Sequence, residues 1–260
     1  MTYGWAILII AIVIVALFQL GILNNSNIAP HAVAGSCQVF HNAAGSSLEG
    51  QCNGLPPQYV AQFSGTGSYI YLPAPVTTSH IQTFSMWINT ANVLQYQYAL
   101  DEGSNVYLIL VGQPSGTLPY ISIYDGGEVH YTTASSNAWY FVASVYDGTH
   151  AILYVNGAYV AEEAFNNQNP TALNVGRYGG GGYFFHGLIS NVQAYNTSLS
   201  ASEIQALYQE GIGGAPISPA YVVGWWPLNG GTNDYSGNGN TGIPFSISYN
   251  GSWTSGYTAP

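Results

Sequence analysis

Positive charge is almost missing from this chain. Lysine and arginine together number one, Arg177, against 11 aspartates and glutamates, for a formal net charge of -10. Charged residues make up 5% of the 260 positions, where an ordinary soluble protein has about 25%. Nucleic acid is excluded as a partner, because phosphates are held by cations. The same scarcity argues against electrostatic docking on an anionic membrane surface. The scarcity of charge does not imply disorder, since the chain is 47% hydrophobic and 14% aromatic, ample for a core. A surface kept soluble by amides and hydroxyls suits either life at low pH, where ion pairs fail, or a coat of glycans. Three Asn-x-Ser/Thr sequons, at Asn24, Asn196 and Asn250, would carry such a coat.

Cysteine is nearly as scarce, with Cys37 and Cys52 alone. In an exported chain they are expected to form one disulfide around a loop of about 16 residues, worth about 3 kcal/mol in the chain-entropy picture. The alternative is two free thiols in a reducing compartment. Catalytic patterns are also missing: there is no Gly-x-Ser-x-Gly elbow, phosphate loop or zinc-binding helix. The carboxylate groups Asp101-Glu102, Asp125 with Glu128, and Glu162-Glu163 lack the alternation that sets an acid and a nucleophile on one strand face. They stand beside turn residues and read as solvated loop carboxylates. The histidines are scattered, so the chain reads as a non-enzyme.

What is present begins at the start of the chain. Residues 3–23 are apolar on every side, and the first charged residue is Glu49. About twenty such residues, at about 1.5 Å rise each, form a helix long enough to cross a bilayer. A helix hydrophobic all round needs lipid or other helices about it. The expected organisation is a hydrophobic helix over 1–28, a linker with the cysteine loop over 29–57, and a β-rich head over 58–260. No Lys or Arg flanks the helix, so it lacks the usual positive-inside anchor. That suits a segment that packs against copies of itself after passing through the membrane. Trp5, Ile9, Ile12, Ala16 and Leu20 are its expected assembly positions.

From Val60 onward, short apolar runs alternate with turn residues. Runs at 139–146, 151–155 and 158–161 are separated by Asp147-Gly148 and Asn156-Gly157. These pairs predict two type I′ turns and a three-stranded meander. Ser200-Ala201-Ser202-Glu203 is a capping box that opens one short helix, from 201 to about 209, with Ile204, Leu207 and Tyr208 on its apolar face. Many short strands at regular spacing predict a β-sandwich or jelly roll.

The residues Trp139-Tyr140-Phe141-Val142-Ala143, Tyr146-Asp147-Gly148 and Leu153-Tyr154-Val155-Asn156-Gly157 resemble the central signature of laminin-G-like, concanavalin A-like jelly rolls. Phe184-Phe185-His186-Gly187-Leu188-Ile189 followed by the capping box is similar to that family's closing strand and helix. Its usual opening strand and loop resemble Val222-Val223-Gly224-Trp225-Trp226 and Asp234-Tyr235-Ser236-Gly237-Asn238-Gly239-Asn240, which here come last. The domain is therefore either circularly permuted, the reading we favour, or completed by strand addition into a neighbour. The resemblance implies carbohydrate binding as the usual task. It also points to calcium at Asp234, Asn238 and Asn240, whose oxygens suit a hard cation. The acidic residues that help such sites are replaced by Ser190 and Asn191.

The first ten residues resemble the hydrophobic N-terminal segment of archaeal type IV pilin-like proteins, without the basic leader or the acidic residue common there. The two resemblances together imply an extracellular, cell-surface filament of identical subunits. Helices would form its core and sandwich heads its outside, for adhesion or glycan binding. The alternative is a membrane-anchored monomeric surface lectin.

Overall fold

A computed structural model describes residues 37–42, 45–49, 57–77, 80–103, 107–112, 119–124, 128–131, 134–164, 170–255 and 257–260. The expected N-terminal helix, with Trp5, Ile9, Ile12, Ala16 and Leu20, lies outside these residues, as do Asn24, Cys52 and Asp125. Among the described residues no helix is long and apolar enough to cross a membrane.

The head is a sandwich of two antiparallel sheets. The first, of eight strands, runs β12 (Ala158–Ala164), β11 (His150–Val155), β10 (Trp139–Asp147), β5 (Ile81–Thr90), β14 (His186–Tyr195), β3 (Val60–Ser64), β17 (Ser248–Gly251), with β15 (Val222–Trp226) also paired to β14. The second, of seven, runs β16 (Ile243–Phe245), β4 (Tyr69–Leu72), β13 (Leu173–Val175), β6 (Gln97–Asp101), β7 (Tyr107–Gly112), β8 (Tyr120–Tyr124), β9 (Glu128–Tyr131). A small hairpin, β1 (Gln38–Asn42) and β2 (Gly45–Glu49), forms a separate sheet tied to the body by the Val39 N–H, which donates to the Tyr235 carbonyl at 2.9 Å.

The meander forms as its sequence requires. β10 pairs with β11, and β11 with β12. Asn156 and Gly157 both take positive φ, 51° and 77°, as a type I′ turn demands. The turn at Asp147-Gly148 is built differently, because only Gly148 has positive φ. Instead Asp147 Oδ1 accepts from the Thr149 and His150 backbone N–H groups, both at 2.7 Å. The side chain thus stands in for a backbone turn.

The sheets differ in what covers them. Successive residues of a strand point to opposite faces. On β5, Phe84, Met86 and Ile88 enter the core between the sheets, while Trp87 points to the other side. On β10, Tyr140 and Val142 face the core and Phe141 and Ala143 do not. Both strands are buried along nearly their whole length, so the middle of the eight-stranded sheet is covered on both faces, while its edge strand β12 is not. Its outer cover is helix α1 (Ala201–Gln209) and the chain end: the Trp87 ring stacks with Tyr208 at 5.8 Å and meets Tyr257 edge-on at 5.3 Å. α1 starts at the expected capping box, with Ser200 and Glu203 each bonding the other's backbone N–H.

The late strand folds back in cis. The C-terminal half of β14 pairs with β15, Val192 opposite Trp226, and its N-terminal half pairs with β3, Ile189 opposite Ala61. Strands far apart in the chain therefore lie end to end along one flank of β14.

Candidate functional site

The seven-stranded sheet keeps an outer face that no helix covers among the described residues. Leu72, Ile70, Leu173, Val175 and Leu100 point into the core. Their neighbours Tyr71, Asn174 and Asp101 therefore project outward, and the strand register sets the three side by side, Asn174 being opposite both Tyr71 on β4 and Asp101 on β6.

The segment after β13 closes over this row. Gly176, at φ 86°, ends the strand; a Cβ there would stand 2.4 Å from the Phe63 ring, so only glycine fits. Gly179 returns to the row and donates its N–H to Asp101 Oδ2 at 2.8 Å; a Cβ there would meet that oxygen at 2.6 Å. Gly103 N–H reaches the same oxygen at 3.0 Å and the Asn174 amide at 3.5 Å. Asp101 is completely buried, and burial pushes its carboxyl up to about 6, against the pull of Gly103, Gly179, the Arg177 charge and Asn174.

Arg177 lies across the other side of Asn174. Its Nε donates to Asn174 Oδ1 at 3.0 Å. Its guanidinium carbon stands 3.7 Å above the Tyr69 ring centre and 5.6 Å from that of Tyr71. Tyr69 is backed by Phe245, stacked at 4.3 Å and 12°. One amide thus joins the buried carboxylate to the chain's single guanidinium. Around them opens a cavity of about 570 Å³ lined by Tyr71, Thr171, Asn174, Arg177, Tyr178 and the glycines of the loop. Tyr178 packs on Tyr98 at 5.3 Å, and Tyr98 on Tyr183 at 5.7 Å, extending an aromatic surface along the same side. Tyr183 is 55% exposed. Aromatic faces beside hydroxyls and a cation can hold the apolar face and the polar edge of one small ring at once.

The carboxylate expectations change here. Asp101 and Glu102 are not solvated, being 0% and 1% exposed. Turn-like neighbours misled the reading, because Asp101 ends a fully buried strand. They also do not face each other: Asp101 bonds the glycine loop, whereas Glu102 Oε2 accepts from Gln82 at 2.6 Å. Glu162 is exposed, as expected.

The structure brings Asp234, Asn238 and Asn240 together, but not as a cage. Asp234 Oδ1 accepts from the N–H groups of Trp225 at 3.0 Å and Ser236 at 2.8 Å. Its Oδ2 accepts from Ser236 Oγ and Asn240 N, both at 2.8 Å. The asparagines turn their amide nitrogens to the Val222 and Val223 carbonyls, at 3.2 and 2.8 Å. Asn191 Oδ1 takes the Trp225 indole N–H at 2.9 Å. These residues do not fit calcium: the one carboxylate is saturated by N–H and O–H donors, and the loop is held by hydrogen bonds. Among the described residues no group of three or more His, Cys, Asp or Glu could hold a metal ion.

Of the other expected positions, Asn196 and Asn250 are both exposed. Cys37 is buried and is not a free thiol, and its expected partner Cys52 lies outside the described residues. Sequence reasoning did not find the cavity. Its one available signal was the solitary basic residue, standing before the glycine run at 179–182.

A two-sheet antiparallel sandwich with one face sealed by a capped helix and the other open is a lectin-type jelly roll. Residues 64–205, more than half of the chain, match the laminin G type of the concanavalin A-like lectin/glucanases superfamily, and the chain belongs to it. A candidate carbohydrate binding protein from Bacteroides ovatus is similar in structure, with 22% identity and a TM-score of 0.61 over 76% of this chain and 61% of that one. The chain thus spans about three fifths of that protein's length. A native heptameric SAP-like pentraxin from Limulus polyphemus matches at 12% identity and TM-score 0.51, over 74% of this chain and 95% of that one. The CBM40 module of a Ruminococcus gnavus IT-sialidase matches at 16% and 0.43, over 60% and 99%. At such identities the likeness is one of fold. No curated protein matches the chain.

Proposed function

We propose that the sandwich is a non-enzymatic glycan-binding head. The observation that carries this is the open cavity on the seven-stranded sheet, where Tyr71 and Tyr178 flank Asn174, Thr171 and Arg177. A sugar presents an apolar C–H face to a tyrosine ring and hydroxyls to hydroxyl and guanidinium groups, and the cavity offers both. The carboxylate nearest the cavity supports binding over hydrolysis, because its Oδ2 is taken up by the backbone N–H groups of Gly103 and Gly179. A glycosidase needs two carboxyls opposed across a bond, and Asp101 and Glu102 bond in different directions. The description of the Bacteroides ovatus protein as carbohydrate binding agrees with this reading.

We further propose that the apolar stretch within residues 1–28 assembles with copies of itself into an extracellular filament that carries the heads outward. This rests on its all-round apolarity. The Cys37–Cys52 disulfide and glycans at the sequons belong to the same proposal for an exported chain.

A glycan array probed with the full chain tests the head. Binding that falls at least tenfold in Tyr71→Ala and Tyr178→Ala, with melting temperatures within a few degrees of the parent, is expected. Absence of any bound glycan, or release of reducing sugar from the bound ones, would overturn the reading. Electron microscopy of the native assembly tests the stalk: filaments with this chain as sole subunit are expected, and detergent-extracted monomers would assign a membrane-anchored lectin instead.

A further inference from the structure

We infer that the cavity beside Arg177 selects glycans carrying an isolated acidic group, a carboxylate or a sulfate ester, on an otherwise neutral chain. This rests on the glycan-binding reading above and adds the class of ligand.

The chain has one permanent cation among 260 residues, and it lies in this cavity. In a protein of net charge -10 with 11 acidic residues, partners for a guanidinium are plentiful. Yet among the described residues no carboxylate comes within ion-pair distance of Arg177, and only its Nε has a protein acceptor. The terminal amino groups, with four N–H donors between them, are left for something else.

The guanidinium is also fixed in place. Asn174 Oδ1 holds its Nε, and the Tyr69 ring, backed by Phe245, lies 3.7 Å beneath its carbon. A planar fork held by stacking and one hydrogen bond loses little freedom when it takes up an oxyanion. The two oxygens of a carboxylate match such a fork in a paired geometry. Asp101 is the nearby acid whose charge the Arg177 field favours, but its Oδ2 is turned to Gly103, Gly179 and Asn174. Tyr71 and Tyr178 line the same cavity, placed to stack on the ring that bears the anion.

Net charge sets the other half of the specificity. A densely anionic polymer would meet the field of the whole acidic head, whereas a single acidic group feels chiefly its immediate surroundings, since screening acts over about 8 Å at physiological salt. The ligand is therefore a neutral glycan with a sparse or terminal acidic residue, rather than a polyanion.

The test measures binding of the full chain to four probes by calorimetry or interferometry: lactose, a glucuronic acid-terminated oligosaccharide, 3′-sialyllactose, and 3′-sulfolactose. At least one acidic probe is expected to bind ten times or more tightly than lactose. Arg177→Gln should reduce that preference, read as the ratio of acidic-probe to lactose affinity within the same variant, to within about twofold. Arg177→Lys, which keeps the charge but not the fork, should retain part of it, and less for carboxylate than for sulfate; it also serves if the Gln variant does not fold. Preference for the carboxylate probes identifies a sugar acid, and preference for the sulfate probe a sulfate ester. Lactose bound as tightly as every acidic probe overturns this inference and leaves the glycan-binding reading standing. A preference unchanged in both Arg177 variants overturns it too. No binding of any probe here, together with an empty glycan array, overturns both.

Discussion

Replacing Asp101 by asparagine should make the head more stable at neutral pH and change the shape of its pH dependence. Asp101 is completely buried and its carboxyl is pushed up to about 6 from an ordinary 3.8, chiefly by burial. Between those two values the folded chain holds a proton that the unfolded chain has released. Stability therefore falls as pH rises through this window. The contribution of the protonated group is fully present below about 4 and lost above about 6. A displacement of about two pKa units corresponds to about 3 kcal/mol. Asparagine keeps the oxygen that accepts from Gly103 and Gly179 and cannot ionise. Its amide nitrogen inherits the place of Oδ1, which is buried with no hydrogen-bond partner, at a cost of about 1 kcal/mol. The net gain at pH 7.5 is thus about 2 kcal/mol, or about 4–8 °C in melting temperature for a head of this size. At pH 4 the two proteins should melt within a degree or two of each other. Thermal melts of both chains from pH 4 to 8 measure this, and groups common to both cancel in the difference. Parallel curves, with a constant offset across the range, would refute the argument.

Asp234→Ala removes four hydrogen bonds and leaves the Trp225, Ser236 and Asn240 N–H groups without their acceptor. It should cost roughly 3 kcal/mol or more in a denaturant titration. Neither calcium nor a chelator should shift the parent's melting temperature; a shift of several degrees would restore calcium to that loop. Ser200→Ala should cost about 0.5–2 kcal/mol by uncapping α1, read as a shift in the chemical midpoint at unchanged slope. Trp87→Ala empties the space between Phe141, Tyr208 and Tyr257 and should cost about 3–5 kcal/mol, with loss of near-ultraviolet circular dichroism.

The class of fold was legible because its signals are local. Alternating apolar runs, the Asn156-Gly157 turn and the Ser200 to Glu203 box each act within a few residues. The hairpin β1–β2 and the strand β6 were not foreseen. Gln97–Asp101 is five buried residues with amide, aromatic, apolar and acidic side chains in turn, and no period separates it from a loop. The Asp147-Gly148 turn was placed correctly and its type missed, since an aspartate can supply the turn's acceptor from its side chain. The cavity was invisible for a stronger reason. Tyr71, Asp101 and Asn174 are neighbours only through strand register, which no single stretch encodes. Asp101 looked like a loop acid because the glycine segment that buries it arrives from residues 176–182.

The end-to-end seating of β3 and β15 along β14 sets the order in which the head can close. β15, β16 and β17 add to β14, β4 and β3 respectively, so both sheets wait for residues 222–251. Until these arrive, the flank of β14 that will receive Trp225 and Trp226 stays bare, and three edges offer unpaired backbone groups. A nascent chain of this design remains open and extendable until residues 222–251 are delivered, then seals both sheets together. Folding dominated by such distant pairings is slow, and here the delay is written into the chain order itself. A chain cut before Val222 would have most of its strands and neither sheet finished, making it a species prone to pair with its own copies.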